Sequence, residues 1–264
     1  ETALVRAVPA VTALPELAAC TDRAALERRA ALPEDPEVRA RVVELRRELA
    51  HVAGLEKAGR FADGLRRAEA ALTAAEALAH PPVQVAARLA VGILASRAGQ
   101  FDASEAALTR TFVDAGVIGE DETAARAAVA LVFVTGHGRK RPNDGLLWSH
   151  AAQVFVHRIG QDERPLGATL QTNIGATHSA KGELEAASAA LERALELQER
   201  LLGPDHPDVA GLLCNLGLID DDRGAYDEAL ARYERALGIQ ARTLGPMHPQ
   251  FARTLNNIAG VRRA

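Results

Sequence analysis

Apolar residues between positions 207 and 248 recur at helical spacing in two consecutive runs. Val209, Leu212, Leu213, Leu216 and Ile219 share one side of a 3.6-residue period; after a break, Tyr226, Ala229, Leu230, Tyr233, Ala236, Leu237 and Ile239 form a second, broader face. Pro207 stands where a first helix opens, because the N–H it lacks would find no partner there. Gly224 stands where that helix ends in a left-handed cap, and Leu244-Gly245-Pro246 stops the second. The pattern predicts two antiparallel helices.

The same pattern returns at intervals of 42 residues. Leu202-Gly203-Pro204-Asp205-His206-Pro207 reappears as Leu244-Gly245-Pro246-Met247-His248-Pro249. Asn173, Asn215 and Asn257 recur in step with it, as do Gly175 and Gly217, Gly182 and Gly224, and Ala194 and Ala236. A fixed period filled with helix formers means a stack of like helical pairs, each burying its apolar face against the next. The units fall at about 36–81, 82–122, 123–164, 165–206 and 207–248, with a half unit at 249–264 and a helical lead-in over 1–35. The unit at 123–164 is the weakest. Lys140 occupies the position of its turn glycine, and a polar stretch, His137-Gly138-Arg139-Lys140-Arg141, makes its turn.

Composition supports this all-α reading. Apolar residues make up 48% of the chain and aromatics only 3%, so Ala, Leu and Val supply the packing, which suits closely spaced helices and not a β-sandwich. A net charge of −4 leaves no electrostatic footprint for nucleic acid. No run approaches the roughly 20 apolar residues of a membrane-spanning helix. Neither a signal peptide nor an initiator Met is present (the only Met is Met247), which suggests an excised region of a larger cytoplasmic protein. Cys20 and Cys214 show no metal or redox spacing, and Cys214, beside Leu213 and Leu216, reads as a buried thiol.

A small residue at the eighth position of each first helix, a Gly-x-Tyr/Phe turn, and Ala five and twelve residues beyond the turn glycine resemble the tetratricopeptide repeat. The 42-residue length with its Leu-Gly-Pro-Asp-His-Pro linker is similar to the kinesin-light-chain type. The resemblance implies a right-handed α-solenoid of about five helix-turn-helix repeats whose first helices line a concave groove. Asp220, at a position usually apolar, and Ser188, in place of a Leu, depart from the pattern. Residues Arg6 to Leu26, with Leu14-Pro15-Glu16-Leu17 among them, resemble the segment before the repeats in large bacterial Ser/Thr protein kinases. That implies a regulatory or substrate-recruiting region. The chain itself has no Gly-rich phosphate loop, no His-Arg-Asp loop and no Asp-Phe-Gly.

Candidate chemistry is sparse. No nucleophile and base stand together, so no enzyme activity, cofactor or metal is expected. The repeat register places Asn173, Asn215 and Asn257 on one surface. An asparagine amide both donates and accepts, so this ladder suits the backbone of an extended peptide, as asparagines do in the repeats the chain resembles. The same amides also suit carbonyls of a neighbouring helix, where they would only hold the stack together. Thr169, Thr172, Asp221, Asp222, Arg253 and Asn256 are further groove positions. The basic turn at 137–141 reads as a solvated loop or a site for an acidic partner, His206 and His248 as caps, and Trp148 as core. The expected partner is a peptide or protein, with self-association through the terminal repeat as another possibility, and the alternative is a small-ligand sensor with an enclosed pocket near 123–164.

Overall fold

The computed structural model describes residues 33–263, which form eleven α-helices and no strand. Two compact units divide the chain, residues 1–44 and 45–264. In the first, the described residues carry the opening turns of α1 (Pro36–Lys57). Asp35 accepts the Glu37 N–H at 2.8 Å, and Arg39 turns back onto the carbonyls of Pro33 and Glu34 at 2.9 Å. The kinase-like stretch from Arg6 to Leu26, with Cys20, lies outside the described residues, as does the expected lead-in up to residue 32.

The second unit consists of helix pairs. After the later turns of α1 come α2 (Phe61–Glu76), α3 (Pro81–Arg97) with α4 (Phe101–Ile118), and α5 (Asp121–Phe133) with α6 (Pro142–Arg158). There follow α7 (Pro165–Lys181) with α8 (Leu184–Leu202), α9 (Pro207–Asp222) with α10 (Tyr226–Thr243), and the unpaired α11 (Pro249–Val261). The glycines of the repeated pattern do two jobs. Gly182, φ 81°, closes α7 in the left-handed region. Gly175 and Gly217 instead let the helices of a pair approach: a Cβ at Gly175 would come within 2.6 Å of Leu191, and one at Gly217 within 2.7 Å of the Tyr233 ring.

The repeated linker is a cap. His206 Nδ1 accepts the Asp208 N–H and His248 Nδ1 accepts the Gln250 N–H, each at 3.2 Å, with proline opening the helix between them. His80 caps α3 in the same way, accepting the Val83 N–H at 3.2 Å. Gly203, φ 88° and ψ 155°, takes a conformation open to glycine alone before the turn reaches His206.

Residues 123–164 depart from the regular unit for visible reasons. Helix α5 runs into a π-helical turn, Val134–Gly138, that adds a residue to the helix. Lys140 then takes the left-handed position at φ 55°, alone among the described non-glycine residues, at a cost of about 1 kcal/mol. Arg139 pairs with Asp102 and Glu105 of α4, and Arg141 with Glu105 and Asp144. The two arginines of the basic turn are thereby neutralised within the fold, while Lys140 has no ion pair among the described residues. Trp148 packs edge-on to Phe112, 5.2 Å between centroids, and Phe155 does the same at 5.3 Å, so these aromatics are core.

Asp220 is buried in α9, 3.0 Å from Arg232, which also pairs with Glu192 at 3.0 Å. Burial pushes its carboxyl above the ordinary range against the opposing pull of Arg232 and Arg223. The folded chain holds this proton more tightly than the unfolded chain does. The group therefore stabilises fully at low pH and loses that contribution as pH rises through its raised pKa. Asp220→Asn is expected to melt at or above the wild-type temperature at pH 7, with the difference closing near about pH 4. Thermal melts at the two pH values check this; a lower melting temperature at pH 7 means the Arg232 pair outweighs the burial.

Candidate functional site

The first helix of each pair faces inward. In the second unit α3 touches α5, α5 touches α7 and α9 touches α11, while among the described residues no two successive second helices approach comparably. The side on which neighbours crowd is the inner side of the stack. Along it runs a solvent-reachable stripe at spacings of three or four residues. On α9 it comprises Asp208, Gly211, Asn215, Leu218 and Asp222; on α7, Leu166, Thr169, Asn173, Ala176 and Ala180. Helix α5 contributes Glu122, Arg126, Ala130, Phe133 and His137, whose ring stacks on Phe133 at 5.0 Å. On α11 the stripe holds Gln250, Arg253, Asn257 and Gly260.

The three asparagines share this stripe but not one environment. Asn173 Nδ2 donates to the Val129 carbonyl at 2.8 Å, crossing from α7 to α5. Thr177 reinforces that crossing, its hydroxyl 3.1 Å from the Val132 carbonyl and 2.8 Å from that of Asn173. Asn215 is exposed and its amide meets no partner among the described residues, and Asn257 is half-buried and likewise unpartnered. The difference has a packing cause. Helix α7 lies hard against α5, whereas α9 does not close on α7 in the same way, so Asn215 has no carbonyl within reach.

The remaining expected positions divide similarly. Thr169 is exposed, its hydroxyl donating to Pro165 O at 2.9 Å, and half-buried Thr172 donates to Ala168 O at 2.9 Å, so both hydroxyls are turned onto their own helix. Asp222, Arg253 and Asn256 are exposed and Asp221 half-buried. Asn256 lies one position off the stripe. Cys214 is a buried thiol 3.2 Å from the Thr254 hydroxyl, and burial raises its pKa.

Arg126 was not among the expected positions. Stepping back 42 residues from Asn173 lands on Leu131, which is fully buried. Asp121 and Pro165 open successive first helices 44 positions apart, so the true stripe on α5 is displaced by one or two residues. An interrupted period at 123–164 was the available signal. Arg126 is exposed, yet the surrounding helices desolvate its guanidinium and lower its pKa, with Glu56 pulling the other way. The combination fits a side chain deep in a concave but open face. Two clefts lie elsewhere, between α6 and α8 and between α8 and α10, with volumes of about 570 and 430 Å³ and many charged lining residues, among them Arg193, Glu196 and Arg235. Among the described residues no group of His, Cys, Asp and Glu is placed to hold a metal ion, and no helix is long and apolar enough to cross a membrane.

Stacked helix pairs, with a large side chain seated on a glycine where α7 meets α8 and where α9 meets α10, define a helical-repeat solenoid. Residues 167–241, most of α7 through α10, match the tetratricopeptide repeat family and form a tetratricopeptide repeat region. No curated protein matches the chain in sequence. Among solved structures, a putative kinesin light chain from Podosopora anserina with nearly identical TPR-like repeats is 16% identical, with 77% of this chain and 97% of that chain covered and a TM-score of 0.58. NprR in complex with its cognate peptide NprX is 18% identical over 98% of this chain and 72% of its own, TM-score 0.61. A Rap protein complexed with Competence and Sporulation Factor is 12% identical over 99% and 85%, TM-score 0.67. At these identities the likeness is one of fold.

Proposed function

We propose that the chain is a non-catalytic interaction module that holds an extended peptide, or such a segment of a partner protein, along its inner face. The observation that carries the reading is the unpartnered amide of Asn215 on the solvent-reachable stripe, beside the small floor residues Ala176 and Gly211. Small side chains let a peptide backbone come close, and an amide free of intrachain bonds can both donate to it and accept from it. One of the similar folds, NprR, is in complex with its cognate peptide NprX, which supports the same use here. Asn257 shares the role; Asn173, committed to Val129, serves the stack. The resemblance of residues 6–26 to the segment before the repeats in large bacterial Ser/Thr protein kinases supports a place in a larger signalling protein, where such a groove would recruit substrate or regulate the attached domain.

The test is a soluble random heptapeptide library with free C termini, selected on the immobilised chain. For a selected peptide, Asn215→Ala is expected to weaken binding about five- to fifteen-fold, the loss of one to two hydrogen bonds. Asn173→Ala is expected to lower the melting temperature more than the affinity. Unchanged affinity in a folded Asn215→Ala, Asn257→Ala double variant removes the asparagines from the site.

A further inference from the structure

We propose that a second copy of this chain docks on the outer face of α4 and α6, making a weak two-fold dimer. The proposal concerns the side of the stack opposite the inner face and does not depend on peptide binding. Exposed positions on the next second helix are mainly charged: α8 presents Glu185, Glu192, Arg193, Glu196 and Arg200. On α4 and α6 the exposed side is aliphatic. Val113 and Val117 of α4 are 52% and 82% exposed, and Leu147 and Val154 of α6 are 67% and 58% exposed. Half-buried Phe112 joins the two helices, lying edge-on to both Trp148 and Phe155. The four aliphatic side chains therefore flank one aromatic seam and form a single patch, where singly scattered apolar residues would need no explanation.

Shape and charge together select the occupant. Neither α4 nor α6 contains a lysine, and Arg110 of α4 is bound to Asp114 at 2.7 Å. Arg158 is left as the main cation on the patch, too little positive charge for an anionic membrane surface. A second copy fits better. Phe112 sits between Trp148 and Phe155, so Val113 is level with the stretch from Ala151 to Val154. A two-fold axis crossing the helices at that level lays α4 on α4 and α6 on α6, each pair antiparallel. Small then meets large: Ala151 faces Val154 of the second copy, Thr109 faces Val117, and Val113 meets its own counterpart on the axis. Leu147 faces the aliphatic stem of Arg158, whose guanidinium reaches Asp144 of the second copy one turn further along α6. Both charges are exposed, Arg158 standing 3.2 Å from Asp121 and Asp144 3.4 Å from Arg141, so each has room for another partner. Symmetry makes this ion pair twice. Two helices side by side over this length offer a face of about 20 by 22 Å, roughly 900 Å² for both copies together, which is the low end of specific interfaces. The dimer is accordingly weak. Both inner faces stay open in it, so it presents two grooves to a partner carrying two segments.

Sedimentation velocity of the full chain over about 2 to 300 µM tests this, with the wild type expected to pass from monomer to dimer around a dissociation constant on the order of 50 µM. Leu147→Glu, at an exposed position whose fold circular dichroism checks, is expected to raise that constant about tenfold or more. Asp144→Arg and Arg158→Asp should each weaken the dimer about three- to tenfold, and the two changes in one chain should restore it. Within one copy these residues stand about 20 Å apart along α6, so the recovery cannot arise inside the monomer. Met247→Glu with Leu255→Glu, exposed positions at the terminal repeat, should leave the dimer unchanged. A chain that stays monomeric at every concentration overturns the proposal; if Leu147→Glu also lowers its melting temperature, the patch is covered within one copy. Loss of the dimer in the Met247, Leu255 variant but not in Leu147→Glu moves self-association to α11 and overturns it too. A double charge swap that fails to restore the dimer overturns the two-fold arrangement.

Discussion

Gly145→Ala is expected to destabilise the second unit by about 3 kcal/mol, lowering the melting temperature by roughly 6–12 °C. Gly145 lies inside α6, where alanine is intrinsically the better helix former by about 1 kcal/mol. Packing reverses that preference. A Cβ at this position would lie 2.6 Å from Gly136 Cα and 2.8 Å from both Gly136 N and Val132 O, all of them backbone atoms that no rotamer change can move. Gly136 belongs to the π-helical turn and is itself pressed from the other side by Thr177 of α7. The clash would therefore pass through α5 into the contacts of Asn173 and Thr177 that join α5 to α7. Gly54→Ala in α1 is the control, since a Cβ there meets nothing within 4 Å and should stabilise by about 0.5–1 kcal/mol. Thermal melts of the two variants should shift in opposite directions; equal shifts would mean the π turn yields to the new methyl group.

Tyr233→Ala is expected to cost about 3–5 kcal/mol, while Tyr233→Phe should be neutral or slightly stabilising. Tyr233 is fully buried in α10, its ring seated on Gly217 of α9 within a cluster that includes Val209, Leu213 and Ile258. Its hydroxyl has no hydrogen-bond partner among the described residues, and burial raises the phenol pKa, so the oxygen contributes size but little favourable energy. The alanine variant leaves a void against Gly217. A Gly217→Leu replacement should refill part of it, so the double variant is expected to be more stable than the sum of the single changes. Gly217→Leu alone should destabilise, because the ring already occupies that space. Because repeats couple mainly to their neighbours, amide exchange should accelerate first in α9, α10 and α11. Uniform acceleration across the second unit would show a more cooperative fold.

Both results bear on how far the repeat pattern can be read without a structure. The glycines at 175, 182, 217 and 224 announce their positions by recurring, and the structure gives each pair a distinct task, close approach at one and a left-handed cap at the other. The histidine caps of the linker are legible for the same reason, since a cap depends on two or three consecutive residues. Gly145 is not legible. Nothing in its neighbourhood marks it as indispensable, because the atoms that exclude a methyl group belong to a turn nine residues earlier. The site divides in the same way. Register alone puts Asn173, Asn215 and Asn257 on one stripe, but not which of them is free. Arg126 escapes because the two extra positions between Asp121 and Pro165 move the stripe off the 42-residue register.

What the sequence by itself determined is therefore the local and periodic part: helix pairs, their caps, their turn glycines and the apolar faces that force them to stack. These depend on short-range geometry that repeats with the residues. Only the tertiary structure decided the distances between neighbouring first helices. Close packing of α7 on α5 brings the Val129 carbonyl within reach of Asn173, and the wider step to α9 leaves Asn215 open. That spacing is set by contacts between residues about 40 apart, such as Gly136 under Thr177, and no local pattern encodes it.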